Sequence, residues 1–128
     1  MADSETRERG RQIFCEVTQV DPIDVTDQFT AENMDQCFAG LWGRAGLTRR
    51  ERRFLSLATV AARGMDLETQ FHVKGALASG DISSAEMMEI ILHVRQYAGW
   101  PAGAVMYRHY RQACAELGLE VPPADGEP

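Results

Sequence analysis

The chain has 128 residues and a formal net charge of −6, the length of one ordinary domain with an acidic balance that argues against general nucleic-acid binding. Its 45% apolar and 25% charged content excludes a disordered or collagen-like chain, and no apolar run approaches the roughly 20 residues of a membrane span. Cys15, Cys37 and Cys114 are odd in number and widely spaced, which excludes a closed disulfide framework, a CxxC redox pair and a zinc knuckle and suits a reducing cytoplasm.

Residues 1–14 are highly charged, with Ile13 and Phe14 the first apolar anchors, and read as a weak or frayed helix. From Val17 to Gln28 the segment VDPIDVTD, with Pro22 among acids and β-branched residues, reads as a connector lying across the domain. Thr30 can cap the next helix, with Phe29 and Met34 at the two positions of a hydrophobic staple. Met34, Cys37, Phe38, Leu41 and Trp42 recur at helical spacing until Gly43 to Gly46. Thr48 and Glu51 form a capping box for a second long helix, whose buried side is expected to be Phe54, Leu55, Leu57, Ala58, Ala61 and Ala62, with Gly64 as its stop. Asp66 can cap a third helix carrying Leu67, Phe71, Ala76 and Leu77 to Gly80.

Ser83 and Glu86 form a second capping box, with Ile82 and Met87 as its staple. The helix they open is apolar around most of its circumference, so it should be central. Gly99-Trp100-Pro101 breaks it, and Pro101 suits the first turn of a last helix ending near Gly118. Residues 119–128, with three prolines and three acids, read as a mobile tail. No segment alternates like a strand. The expectation is a single all-α domain of five to six helices: an N-terminal segment and connector over 1–29, a helical domain over 30–118 and the tail.

Glu68 and His72 lie four apart on the third helix, so their side chains are neighbours on one face. A carboxylate beside an imidazole fixes its tautomer and supports its charged form, as a general acid or base requires. Glu89 and His93 repeat the spacing on the central helix, whose polar stripe of Glu89, His93 and Gln96 must face water, a partner subunit or a cavity. A Glu–His pair at this spacing is usually a surface pair worth a few tenths of a kcal/mol, and that reading stands beside the catalytic one. Neither has the two-histidine spacing of a metal site, and His109 has aromatic and basic neighbours, which suits a helix surface or interface.

Twelve of the thirteen basic residues are arginine, and four of them crowd one helix start, Arg49-Arg50-Glu51-Arg52-Arg53, where the helix dipole favours anions. They are either a solvated face or, in part, a grip for a carboxylate. Arg95, a lone cation among Leu92, Val94 and Ala98, is expected to be paired. The cysteines read as small buried apolar residues.

Three stretches carry a family resemblance: LWGRAGLTRRERRFLSLA (41–58), LETQFHVKGALASGDISSAEMMEIILHV (67–94) and YAGWPAG (97–103). Together they resemble the carboxymuconolactone decarboxylase family of the alkyl hydroperoxidase D-like superfamily. The resemblance implies that superfamily's all-helical fold and a cofactor-free, metal-free decarboxylase acting on a small carboxylated lactone such as γ-carboxymuconolactone, in aromatic-compound catabolism. It also implies a ring-like homo-oligomer, a trimer or hexamer. His72, Glu68 and His93 are then the catalytic candidates, and Arg52, Arg44, Trp42, Tyr97 and Trp100 the substrate-binding ones. The peroxidase branch uses a CxxC pair, and Met65 and Glu68 stand at its two positions here. Three departures bear on the substrate: Gly40 stands in Phe38-Ala39-Gly40-Leu41-Trp42 where relatives often have an acid, Ala45 where proline is common, and His93 where many have glutamine. A lyase, isomerase or cyclase on the same scaffold, or a non-enzymatic helical binding oligomer, are the other readings.

Overall fold

The computed structural model describes residues 3–125, and those residues form helices and turns with no strand. Helix α1 spans Ser4–Thr18, α2 Gln28–Glu32, α3 Arg49–Ala62, α4 Asp66–Ser79, α5 Ser84–Ala98 and α6 Trp100–Leu117. Between α2 and α3 the helix continues without a break as a π-helix over Asn33–Trp42, in which each N–H reaches back five residues.

Two cores hold these elements together. Leu57 and Ala61 of α3, Val73, Ala76 and Leu77 of α4, Met87, Ile90, Ile91 and Val94 of α5, and Met106 and Tyr110 of α6 belong to the larger one. The smaller joins Ile13 and Val17 of α1 to Met34, Phe38 and Trp42 of the π-helix, with Val25 of the connector against it. Helix α1 is therefore no frayed end. Asp3 caps it by accepting from the Thr6 N–H, and its stripe of Gly10, Ile13 and Val17 is buried. A side-chain carbon on Gly10 would stand 2.0 Å from the Met34 carbonyl oxygen, and one on Gly75 would stand 2.3 Å from the Val17 carbonyl oxygen. Glycine at these two points lets α1 lie directly against both the π-helix and α4. Arg7 locks the arrangement by a two-pronged bond to Asp35, at 2.7 and 2.9 Å.

Both capping boxes form as the sequence indicates, at Thr48/Glu51 and Ser83/Glu86, and Ile82 and Met87 are buried together. Helices α4 and α6 end on Gly80 and Gly118 with positive φ, and Pro101 lies in the first turn of α6. Other local expectations are corrected. Asp27, not Thr30, caps α2, and Phe29 is 83% exposed, so no staple forms with buried Met34. On α3 the buried face is turned toward Arg52 and Arg53, leaving Leu55, Ala58 and Ala62 outside. Leu41, Leu67 and Phe71 are also exposed. Asp66 does not cap α4: its carboxylate takes a 2.8 Å bond with Nε2 of His109 on α6, and His109 is buried, not a surface residue. In the C-terminal segment Ser84 Oγ donates to the Glu120 carbonyl and Val121 lies against the main core, while residues 126–128 of the expected tail lie outside the described residues.

Candidate functional site

The four arginines at the start of α3 separate into two kinds. Arg49 donates to Glu16 at 2.9 Å, and Arg50 grips Glu86 with both Nη atoms and the Asp81 carbonyl at 2.7 Å. Arg53 is 1% exposed and fully engaged: its Nε donates to Asp81 at 2.8 Å, its Nη1 to the Val17 carbonyl at 2.9 Å and its Nη2 to the Glu16 carbonyl at 3.2 Å. Those carbonyls close the last turn of α1, where the negative end of the helix dipole favours a cation. Arg52 has no carboxylate partner among the described residues. It is buried, its Nη2 makes one long bond of 3.5 Å to the Arg44 carbonyl, and its Nε is shielded from solvent with no acceptor. A buried guanidinium with unused donors is costly unless a ligand uses them.

The carbonyl that Arg52 reaches lies just beyond the π-helix. That helix ends at Trp42, and Arg9 Nη2 fixes the turn by donating to the Gly43 carbonyl at 2.8 Å. Trp42 is buried and its ring stacks on the His72 imidazole, with centroids 6.2 Å apart and planes 12° from parallel. Burial is the main influence pushing the His72 pKa below its ordinary value, and the Arg53 cation adds to it; the Glu68 charge acts the other way. At neutral pH the resting imidazole is therefore uncharged. Glu68 is exposed and makes no ion pair or hydrogen bond with His72, so its influence comes through space. His72 is thus tied to the end of the π-helix through Trp42, and Arg52 reaches the turn two residues further on through the carbonyl of Arg44, whose side chain is exposed.

His93 belongs elsewhere. It is exposed on α5, stacks on the exposed Tyr97 ring at 4.9 Å, and with Phe54, Ala58, Glu89 and Ile90 lines an open cavity of about 470 Å³. Trp100 is 70% exposed at the start of α6, where the Arg95 guanidinium lies 4.5 Å over its ring. Among the described residues Arg95 has no acidic partner, contrary to the sequence expectation. His72 does not line the cavity beside His93 or the one beside Trp100. Among the described residues no three His, Cys, Asp or Glu side chains stand close enough to hold a metal ion. Cys114 is buried; Cys15 and Cys37 are partly buried, and burial pushes the Cys37 thiol up. The Asp66–His109 bond was not legible from either residue's neighbours, because it joins helices 43 positions apart.

Over a stretch of 79 residues the chain is 30% identical to the 4-carboxymuconolactone decarboxylase of Acinetobacter baylyi, covering 62% of this chain and 58% of that protein. It is 34% identical over 62 residues to the nitrosuccinic acid decarboxylase of Metarhizium robertsii, covering 48% of this chain and 43% of that one. The chain thus spans about half the length of these relatives. The family model described as "Carboxymuconolactone decarboxylase family" matches residues 28–108, the segment that carries the π-helix, Arg52, His72 and His93. With more than half of its length inside that match and an all-helical fold around it, the chain belongs to the carboxymuconolactone decarboxylase family.

Proposed function

We propose that this chain decarboxylates a small carboxylated lactone such as γ-carboxymuconolactone, without a cofactor. The observation that carries the reading is the buried Arg52: of the four arginines at the start of α3 it alone has no carboxylate partner among the described residues, and its donors are open to an incoming carboxylate. Decarboxylation breaks the bond between the ring carbon and the carboxylate. Its electron pair moves into the unsaturated lactone carbonyl as an enolate, and a proton then returns to carbon. Arg52 holds a substrate carboxylate by two hydrogen bonds. His72 supplies the proton. Its imidazole is neutral at rest, and the arriving anionic substrate raises its pKa, so the charged acid builds up when substrate is bound. Trp42 fixes the ring plane by stacking, and Arg44 meets a second carboxylate.

The relative named for nitrosuccinic acid supports a broader form of the same chemistry, since a nitro group next to the breaking bond accepts the electron pair as a lactone carbonyl does. Exposed Leu55, Leu67, Phe71 and Tyr97 support assembly into a homo-oligomer, a trimer or hexamer, in which His93 and Tyr97 of one copy approach the His72 face of another. The same reading keeps the chain in the cytoplasm and in aromatic-compound catabolism; among the described residues no helix is long and apolar enough to cross a membrane.

The test is incubation of purified protein with γ-carboxymuconolactone and, separately, with nitrosuccinate, following CO₂ release. Turnover that is lost in H72A and weakened in R52Q supports the reading. Failure with both substrates, or full activity in H72A, overturns it.

A further inference from the structure

A second arginine shares the condition of Arg52 but lies in a different cavity. Arg95 stands in the last turn of α5, and no acceptor among the described residues takes any of its side-chain N–H groups; its Nε is also shielded from solvent. It is held in place nonetheless. A side-chain carbon on Gly103 would lie 2.7 Å from Arg95 Cβ, so the glycine lets the first turn of α6 close on the arginine stem. The guanidinium then lies over the exposed Trp100 ring, 4.5 Å from its centroid.

This pair lines a groove of about 320 Å³ between α5 and α6, walled by Met88, Ile91 and Leu92 on one side and Ala104 and Tyr107 on the other. The wall is apolar apart from Arg95. At its far side Arg111 lies 5.9 Å over the Tyr107 ring, adding a second positive charge. Neither His72 nor Arg52 lines it.

We propose that this groove binds a small organic carboxylate with a flat or aliphatic apolar body. Its carboxylate takes the unused donors of Arg95 by a two-pronged bond, and its body lies along the α5–α6 wall beside Trp100. The chemistry selects this class on three counts. A cation held against an aromatic ring keeps its planar edge free for a planar anion. The volume matches a small ligand, and one charged group in an otherwise apolar wall is the arrangement of a ligand site. A neutral ligand would leave the guanidinium unmet, and an inorganic anion would leave the apolar wall wet. The inference is independent of the decarboxylase reading, since binding alone is read and no turnover enters.

The chain has two tryptophans, Trp42 and Trp100, so a ¹⁵N-labelled sample gives two indole signals, assigned by their loss in W100F. The probe is 2-naphthoate, with neutral 2-naphthamide as control. The Trp100 signal is expected to move saturably with naphthoate while the Trp42 signal stays in place. Naphthamide, and the R95Q variant with naphthoate, should each bind about tenfold more weakly or worse. R95K keeps the charge but loses the fork and should fall between, which gives a reading even where R95Q folds poorly. Movement of the Trp42 signal alone, equal binding of acid and amide, or wild-type affinity in R95Q overturns the proposal. So does a stable oligomer that buries the Trp100 indole and takes up no naphthoate, because the groove is then a subunit contact.

Discussion

Helices α4 and α5 carry the same local pattern, a glutamate followed four residues later by a histidine, and the fold gives the two histidines opposite surroundings. His72 is half-buried against the Trp42 ring, beside an arginine that α1 holds in place, and its pKa is lowered. His93 is exposed, stacked on an exposed tyrosine over an open cavity. Spacing on a helix decides which side chains are neighbours; what lies opposite that face decides whether the pair has chemistry. For His72 the opposite face is the end of the π-helix.

The contrast breaks most directly in a comparison of single variants. H72A is expected to cost decarboxylation about a hundredfold to ten-thousandfold in kcat, and H93Q distinctly less, measured by CO₂ release. Equal losses would put both histidines in one assembled site. Next in size are the two buried arginines of α3. R53A removes the partner of Asp81 and of two α1 carbonyls and should destabilise the fold by about 3–5 kcal/mol, read as a lower urea midpoint. R52Q should leave that midpoint unchanged or higher while kcat/KM falls by about tenfold to a hundredfold. The pair thus separates a structural cation from a binding one. G10A tests the support behind them: its added carbon meets the Met34 carbonyl, and about 1–3 kcal/mol of stability should be lost, with the melting temperature as the readout.

The smallest effects are in the pH dependence of stability. His72 binds its proton less well folded than unfolded, so its contribution is complete above the ordinary value of 6.5 and is lost as pH falls through its lower folded value. Glu86, held at about 2 by Arg50 and the Ser83 N–H, contributes above its ordinary 4.5 and loses that as pH falls toward about 2. Urea midpoints followed downward from pH 8 should therefore decline in two steps. H72Q should remove the upper one, and E86Q should shrink the lower, to which Asp35, Glu51, Asp66 and Glu116, also held below their ordinary values, contribute; an upper step that survives H72Q would deny that α4 and α5 titrate separately.

Much of the fold was legible because its signals are local. Thr48/Glu51, Ser83/Glu86, Ile82/Met87, Gly80 and Gly118 act within a few residues of themselves, and each does what its spacing implies. What the sequence misplaced depends on distant partners. The face of α3 turns inward at Arg52 and Arg53 because Asp81 and the end of α1 wait there, at sequence separations of 28 and 36. Asp66 leaves its capping position because His109 offers a buried imidazole. Helix α1 looked weak because its charges are obvious and the role of Gly10 is not: a glycine that enables contact cannot be told from one that breaks a helix. Of the candidate site residues, Trp42 and Arg44 flank one turn, which His72 meets by stacking on Trp42 and Arg52 by its bond to the Arg44 carbonyl, while His93 stacks on Tyr97 and Trp100 lies under Arg95.

The Arg53 side chain has a bearing on where the working unit begins. The family match starts at residue 28, after α1, yet the backbone carbonyls of α1 take two of the Arg53 hydrogen bonds. Arg53 is in turn one of the charges that sets the protonation of His72. The first eighteen residues thus reach the candidate catalytic imidazole at one remove, by anchoring the cation next to it. A version trimmed to the matched segment would keep every candidate site residue and still present a different histidine.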